Sequence, residues 1–255
     1  MNLINENGRF LLEEIVKKNF SSKYKGSVLG ILWSVLKPLL IMIILTIIFS
    51  ALFTGRVENY PVYLLSGRCI YDFFSAATNV TMMAIKGNQN ILKRTPAPKF
   101  IFILGGVISE FLNFIISLII LFGVMLVTGS TFYLTIPLAI IPIISVFLFI
   151  TGIGFILSIV CVYYTDIQHL WGVITMMVMY GCAIFYPMDI IPEPFHSVMI
   201  LNPMFWIIDQ FRDFVVYGAI PDLLNIVNSL LISVIVLLLG IIIFKKYEKK
   251  VTMKF

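Results

Sequence analysis

Charge is the scarcest property of this 255-residue chain. Only 12% of its residues are charged and 60% are apolar, where soluble domains average about 25% and about 45–50%. With a mean hydropathy of +1.03, that imbalance excludes an ordinary water-soluble globule and places the chain among integral membrane proteins. Cysteine is also sparse: Cys69, Cys161 and Cys182 each lie alone in an apolar run, so neither a disulfide framework nor a thiolate metal site follows from their spacing. His169 and His196 are far apart and no His-Glu-x-x-His occurs, which removes the common zinc hydrolase signature. The pair Gly152 and Gly154 is followed by Phe155 rather than by the aspartate an intramembrane protease would need. There is no Gly-x-x-x-x-Gly-Lys-Ser/Thr loop, so the chain has no P-loop to cradle ATP. A cleavable leader is not expected, because residues 1–28 are polar and basic with no early apolar core.

What the chain has instead is long apolar runs. About 20 apolar residues cross about 30 Å of hydrocarbon, and six segments qualify: 30–53, 61–85, 100–128, 136–163, 168–186 and 223–244. The predicted fold is all-α, a polytopic membrane protein with six transmembrane helices. Residues 1–29 are expected as an amphipathic interface segment, 30–244 as the transmembrane domain and 245–255 as a basic tail. Of 18 Lys and Arg residues, 14 fall in three places: residues 1–28, the loop 86–99 and the tail. Arg56 and Arg212 sit in the alternate loops, while Lys37 and Arg68 fall within the runs. By the positive-inside rule both termini and loop 86–99 are cytoplasmic. The polar stretch 187–222 is expected as an outer gate segment of interfacial or shallowly re-entrant helices, with a passive interfacial element as the equal alternative; one helix starts at Asn202–Pro203 and stops at Gly218. The apolar face of that helix is Ile207, Ile208, Phe211, Phe214 and Val215, opposite Asp209, Arg212 and Asp213.

Ahead of the first run, "GRFLLEEIVKKNF" has helical periodicity. Leu12, Ile15, Val16 and Phe20 share a stripe, and Glu13–Lys17 and Glu14–Lys18 have the favourable i,i+4 order. Such a basic amphipathic segment is predicted to lie in the headgroup layer. The chain then turns at Ser21, Ser22, Gly26 and Gly30, although Gly26-x-x-x-Gly30 also has the spacing of close helix contacts. Lys37 falls a turn or two below the surface, within snorkelling reach, and Pro38 can bend the helix there. Arg68 and Asp72, four apart, can neutralise each other; Glu110 and Asn113 share a face near mid-depth. Charges inside spans are costly and point to function, with structural pairing as the alternative. Asp166 is placed to cap the fifth span.

The segment "KYKGSVLGILWSVLKPL" resembles the N-terminal signature of the permeases of polysaccharide-export ABC transporters, and the resemblance continues in order along the chain. "YPVYLLSG" opens the second run, "NQNILKRTPAPK" fills loop 86–99, "VYYTDIQHL" separates the fourth and fifth runs, "IFYPMDIIPE" ends the fifth, and "NPMFWIIDQFRD" follows. Two departures stand out. Thr165 occupies a position where that family usually has Arg, and Arg68 to Asp72 replaces a usual apolar stretch ending in Trp-Asn.

The resemblance implies a permease subunit in a bacterial cytoplasmic membrane, moving lipid-linked O-antigen, teichoic acid or a similar polymer. It implies a homodimer with two separate ATPase subunits that bind ATP and Mg. No cofactor is expected in this chain, and no nucleic acid partner. Aromatic faces let sugar rings slip past without fixed polar partners, which suggests Trp33, Phe49, Phe53, Tyr180, Phe185 and Tyr186 as path residues; simple packing is the alternative for each. Lys23 and Lys25 suit an anionic pyrophosphate head, or ordinary anionic lipid equally well. Loop 86–99 is the expected contact with the ATPase, through Asn90, Leu92, Lys93, Arg94 and Pro96, with Asn88 or Asn90 capping a short helix and Ile91 and Leu92 forming an apolar knob. An ion-coupled secondary transporter is the main rival reading, although no internal repeat supports it.

Overall fold

The computed structural model describes residues 6–23, 25–51, 53, 56–94 and 97–252, and every regular element among them is helical. In chain order the α-helices are α1 (Glu6–Ser22), α2 (Trp33–Phe49), α3 (Tyr60–Met82), α4 (Gln89–Arg94), α5 (Phe100–Thr128), α6 (Ile140–Tyr163), α7 (Ile167–Tyr180), α8 (Glu193–Ile200), α9 (Pro203–Arg212) and α10 (Leu223–Thr252).

Helix α3 is the centre of the molecule. The Asn59 side chain caps it by accepting from the amide of Val62, and Pro61 occupies its first turn, where no amide is needed. It packs against α5, α6 and α9, and residues from Leu64 to Ala77 form the spine of the core. Helices α6 and α10 approach so closely that only glycine fits between them. A Cβ at Gly152 would stand 2.6 Å from the backbone of Val236 and Leu237. Gly154 faces Thr81 of α3, where a Cβ would stand 2.8 Å from the threonine Oγ1. The Gly152–Gly154 pair is therefore a helix-packing device.

By length and hydropathy, four helices among the described residues can cross a membrane: Gly30–Phe49, Phe100–Thr128, Ile136–Tyr163 and Leu223–Val251. The 23-residue α3 is about 35 Å long but more polar. The fifth expected run is shorter as a helix than its apolar length: α7 has 14 residues, about 21 Å. Beyond it, residues 181–186 form an irregular buried segment in which Ala183 has a φ of 49°. Helix α10 continues past residue 244 through the basic segment to Thr252, with Val251 buried in the same cluster as Phe244.

Locally, one pair of alternatives is decided in favour of the expected turn and two expectations are corrected. Gly26 and Gly30 have φ of 84° and 49° and nothing within 4 Å of where a Cβ would point. They form a turn in left-handed backbone that favours glycine, not a helix contact. The ion pairs on α1 are Arg9–Glu13 at 3.3 Å and Glu14–Lys17 at 3.5 Å, because Lys18 is drawn away to the Asn88 side chain at 3.1 Å. The apolar stripe of α1 packs on α5, with Ile15 seated on Gly105. Asp166 does stand at the cap position of α7, yet its side chain makes no cap hydrogen bond.

Candidate functional site

A charged groove of about 520 Å³ opens between α2, α3 and α5. Helix α2 lends it Trp33 and Lys37, α3 lends Arg68 and Asp72, α5 lends Glu110 and Asn113, and the segment before α2 lends Lys23. All four charges expected inside spans therefore share one space. Arg68 Nη2 meets Asp72 Oδ1 at 2.9 Å, four residues on, as the helical spacing requires. Glu110 is almost fully buried, and its Oε2 takes Lys23 Nζ at 2.5 Å and the Asn113 amide at 3.2 Å. Glu110 lies ten residues into α5, about 15 Å along it, so Lys23 folds back beside that helix. Lys25 is elsewhere, beside an apolar hollow with Phe20, Leu29 and Leu32. The two lysines grouped in the sequence do not form one site.

Toward the opposite end of α3 the aromatic residues line up. Ring centroids lie 5.9 Å apart for Tyr180–Phe185, 6.1 Å for Phe185–Phe49 and 6.1 Å for Phe49–Phe53. The row continues with Phe53–Tyr60 at 6.0 Å and Tyr60–Tyr63 at 6.3 Å. Tyr186 joins it by donating its hydroxyl to the carbonyl oxygen of Tyr180. Trp33 does not belong to the row; it sits in the charged groove. Phe185 is buried within the protomer, whereas Tyr180 is exposed.

The row ends under Arg212, which sequence periodicity had set on the polar face of its helix. Arg212 is 3% exposed. Its guanidinium lies 3.7 Å over the Tyr63 ring, and Nη1 donates to the carbonyl of Ala183 at 2.9 Å. Nη2 donates to the carbonyls of Ile184 and Tyr63 at 3.1 and 3.3 Å. The Tyr63 hydroxyl donates to the carbonyls of Ala183 and Tyr186, and that of Tyr60 to Phe185. These donors satisfy the carbonyls freed where α7 ends, which is what lets irregular backbone be buried there. The helix carrying Arg212 is capped by the Asn202 side chain and stops at Gly218 with φ 65°, as the sequence indicated. Its last five residues, Asp213–Tyr217, are π-helical.

At the other end, loop 86–99 is tied to its surroundings. Lys86 Nζ donates to Thr165 Oγ1 at 3.0 Å, joining it to the short turn before α7. Asn88 accepts from Lys18 and donates to the carbonyl of Ala84, so it braces the loop and does not cap α4. Leu92 is buried with Ile15, Ile85 and Phe102, leaving Asn90, Ile91, Lys93 and Arg94 facing outward. Pro96 lies outside the described residues.

Residues 11–216 match the family described as ABC-2 type transporter. The chain belongs to that family. Among curated relatives, the "O-antigen export system permease protein RfbA" of Klebsiella pneumoniae is 28% identical over 93% of this chain and 92% of its own length. The "Polysialic acid transport protein KpsM" of Escherichia coli is 22% identical, with 93% of each covered. The "Capsule polysaccharide export inner-membrane protein CtrC" of Neisseria meningitidis is 20% identical over 96% of this chain and 91% of its own length. At both places where this chain departs from the polysaccharide-export permease signature it resembles, the residues have partners in the structure. Thr165 accepts from Lys86, and Arg68 and Asp72 neutralise each other. The residues the sequence did not single out are Tyr60, Tyr63 and Arg212. Their signal was weak: two tyrosines three apart opening a run, and one arginine that shares the polar face of its helix with Asp209 and Asp213.

Proposed function

We propose that this chain is the membrane-spanning permease subunit of an exporter that moves a lipid-linked cell-surface polysaccharide across the bacterial cytoplasmic membrane. The observation that carries the reading is similarity over more than nine-tenths of the chain to relatives named as permease or export proteins for O-antigen and polysaccharide. In this reading six spans cross the membrane, α7 with its buried extension serving as the fifth, and both termini are cytoplasmic. The lysine-rich end formed by α1, loop 86–99 and the end of α10 then faces the cytoplasm. ATP and Mg are held by two separate ATPase subunits. They push on Asn90, Ile91, Lys93 and Arg94, and Leu92 passes the displacement to the α1–α5 packing.

A second copy completes the path. Helix α2 exposes Ile43, Ile44, Ile47 and Ile48, and α7 exposes Val173, Met176 and Met177. A 14-residue helix is too short to face about 30 Å of hydrocarbon unaided, which favours a second copy on α7. The row from Tyr180 through Phe49 to Phe53 then borders the space between copies. There it offers sugar rings stacking contacts worth about 0.5–1.5 kcal/mol each.

The test is purification of the tagged full-length chain from native membranes under mild detergent. A P-loop ATPase should co-purify in equal amounts, and cross-linking should trap two copies of each chain. A monodisperse preparation of this chain alone that still exports polymer contradicts the reading.

A further inference from the structure

We infer that the four lysines near the end of α10, Lys245, Lys246, Lys249 and Lys250, form a binding site for the headgroups of anionic phospholipid. The proposal goes beyond the export reading: it needs only that α10 crosses the membrane, whatever the chain transports. Its basis is register. Along the apolar part of α10 the exposed side chains include Leu231, Ile235, Leu238 and Ile242, one stripe at helical spacing. In a bilayer that stripe meets acyl chains. The opposite side is buried at Ser233, Gly240, Phe244 and Val251, with Gly240 and Phe244 set against Gly152 and Phe155 of α6. At 3.6 residues per turn, the four lysines fall within about 140° of arc centred close to Ile242, and all four are exposed. The face that contacts lipid tails therefore runs on into a face of lysines.

Depth agrees with register. From Leu223 to Phe244 α10 runs about 33 Å, close to the hydrocarbon thickness of about 30 Å. Lys245 to Lys250 rise about 7 Å further along the same axis, about the depth of one headgroup layer. The lysines are also held in place. The helix continues to Thr252, and Val251 beyond them is fully buried. Lys246 and Lys250 both lean on the ring of Tyr247, each Nζ 5.7 Å from its centroid. Orientation by charge needs lysines somewhere past the span, in any arrangement; it does not need them on one rigid face. Glu248 is the one carboxylate between Phe244 and Thr252, so four cations face one anion there. Ammonium groups fixed at this depth donate to headgroup phosphates, and their excess charge favours lipids whose headgroup is net negative.

The full-length chain in neutral detergent is titrated with phosphatidylglycerol or with phosphatidylcholine, and bound lipid is counted by native mass spectrometry. Phosphatidylglycerol should be retained in preference. Lys249→Gln/Lys250→Gln keeps two lysines at the edge of the span for orientation, and should weaken that retention about tenfold or more. Lys249→Arg/Lys250→Arg, which keeps the charge, should preserve it. Lys93→Gln/Arg94→Gln removes two cations from the same end of the molecule but none from this face, and should retain lipid as the native chain does. Equal retention of the two lipids by the native chain, unchanged retention in Lys249→Gln/Lys250→Gln, or equal loss in both glutamine variants overturns the proposal. A native chain without lipid preference, whose Lys249→Gln/Lys250→Gln variant loses a co-purifying protein, also overturns it and gives the face to an acidic protein partner.

Discussion

Position 212 shows how a single side chain can reverse its sequence reading. An arginine beside two aspartates on a half-polar helix reads as a solvated charge, yet here it is buried under three carbonyls and a tyrosine ring. Periodicity reports which face a residue occupies, not what another element presents to that face. The carbonyls belong to an irregular segment whose existence depends on where α7 stops. Gly67 makes room for the guanidinium, since a Cβ there would stand 2.6 Å from Arg212 Nη2. Arg212→Ala should therefore destabilise the purified protein by about 3 kcal/mol or more, because several buried acceptors lose charged donors at once. Gly67→Ala should act in the same direction by displacing the same group, and in the double variant the two losses should be far from additive. Thermal unfolding of the four proteins in one detergent measures this.

One residue further, burial and then the charge of Asp209 raise the Asp213 carboxyl from its ordinary 3.8 to about 6. Between those values the folded protein binds a proton that the unfolded chain does not. That stabilisation is complete below the unfolded value and is lost as pH rises through the folded one. The unfolding midpoint should fall from about pH 4 toward about pH 6 and level off above. Asp213→Asn should flatten that part of the profile, and an unchanged slope would assign it to another group.

At the scale of elements, the best-read parts of the sequence were those where one physical signal dominates. Apolar runs of about 20 residues located α2, α5 and α6 to within about four residues of their ends and fixed the start of α10, which continues to Thr252 past the expected end at 244; Asn202, Pro203 and Gly218 bounded the outer helix. Where two signals competed, the outcome varied. Gly26 and Gly30 have the spacing of a helix contact and the backbone freedom of a turn, and the expected turn is what forms, with nothing among the described residues within 4 Å of where a Cβ would point. The ion pairs of α1 lost their expected register because docking on α5 brought Asn88 within reach of Lys18. In loop 86–99 the apolar knob divides, with Leu92 anchored inside and Ile91 outside. The proposed coupling through loop 86–99 asks for stiffness as well as an anchor, and the two prolines in the sequence of that loop test it, because proline restricts its own φ and its predecessor wherever it stands. Replacing both with glycine while keeping every lysine and arginine should leave insertion and ATPase binding intact but reduce export severalfold. Full export with normal ATP turnover would move the coupling role to α1.

For the whole molecule, composition alone sufficed for the membrane class and the all-helical fold, and ordered motifs sufficed for the family. Neither could show that Lys23, Lys37, Arg68, Asp72 and Glu110 share one groove, because they come from four segments whose proximity is set by how α2, α3 and α5 pack. The same holds for the aromatic row, which joins residues from α2 and the segment after it, α3, and the end of α7 with the segment that follows. The central claim is that an ATPase, not an ion gradient, drives a lipid-linked polymer through this subunit. The direct measurement uses inverted membrane vesicles loaded on their outer face with radiolabelled lipid-linked polysaccharide, and follows label that becomes protected inside. Protection should require this chain, its ATPase and hydrolysable ATP, and should persist when ionophores collapse the proton and sodium gradients. Uptake that proceeds without ATP and disappears with the ionophores would contradict the account and identify an ion-coupled transporter.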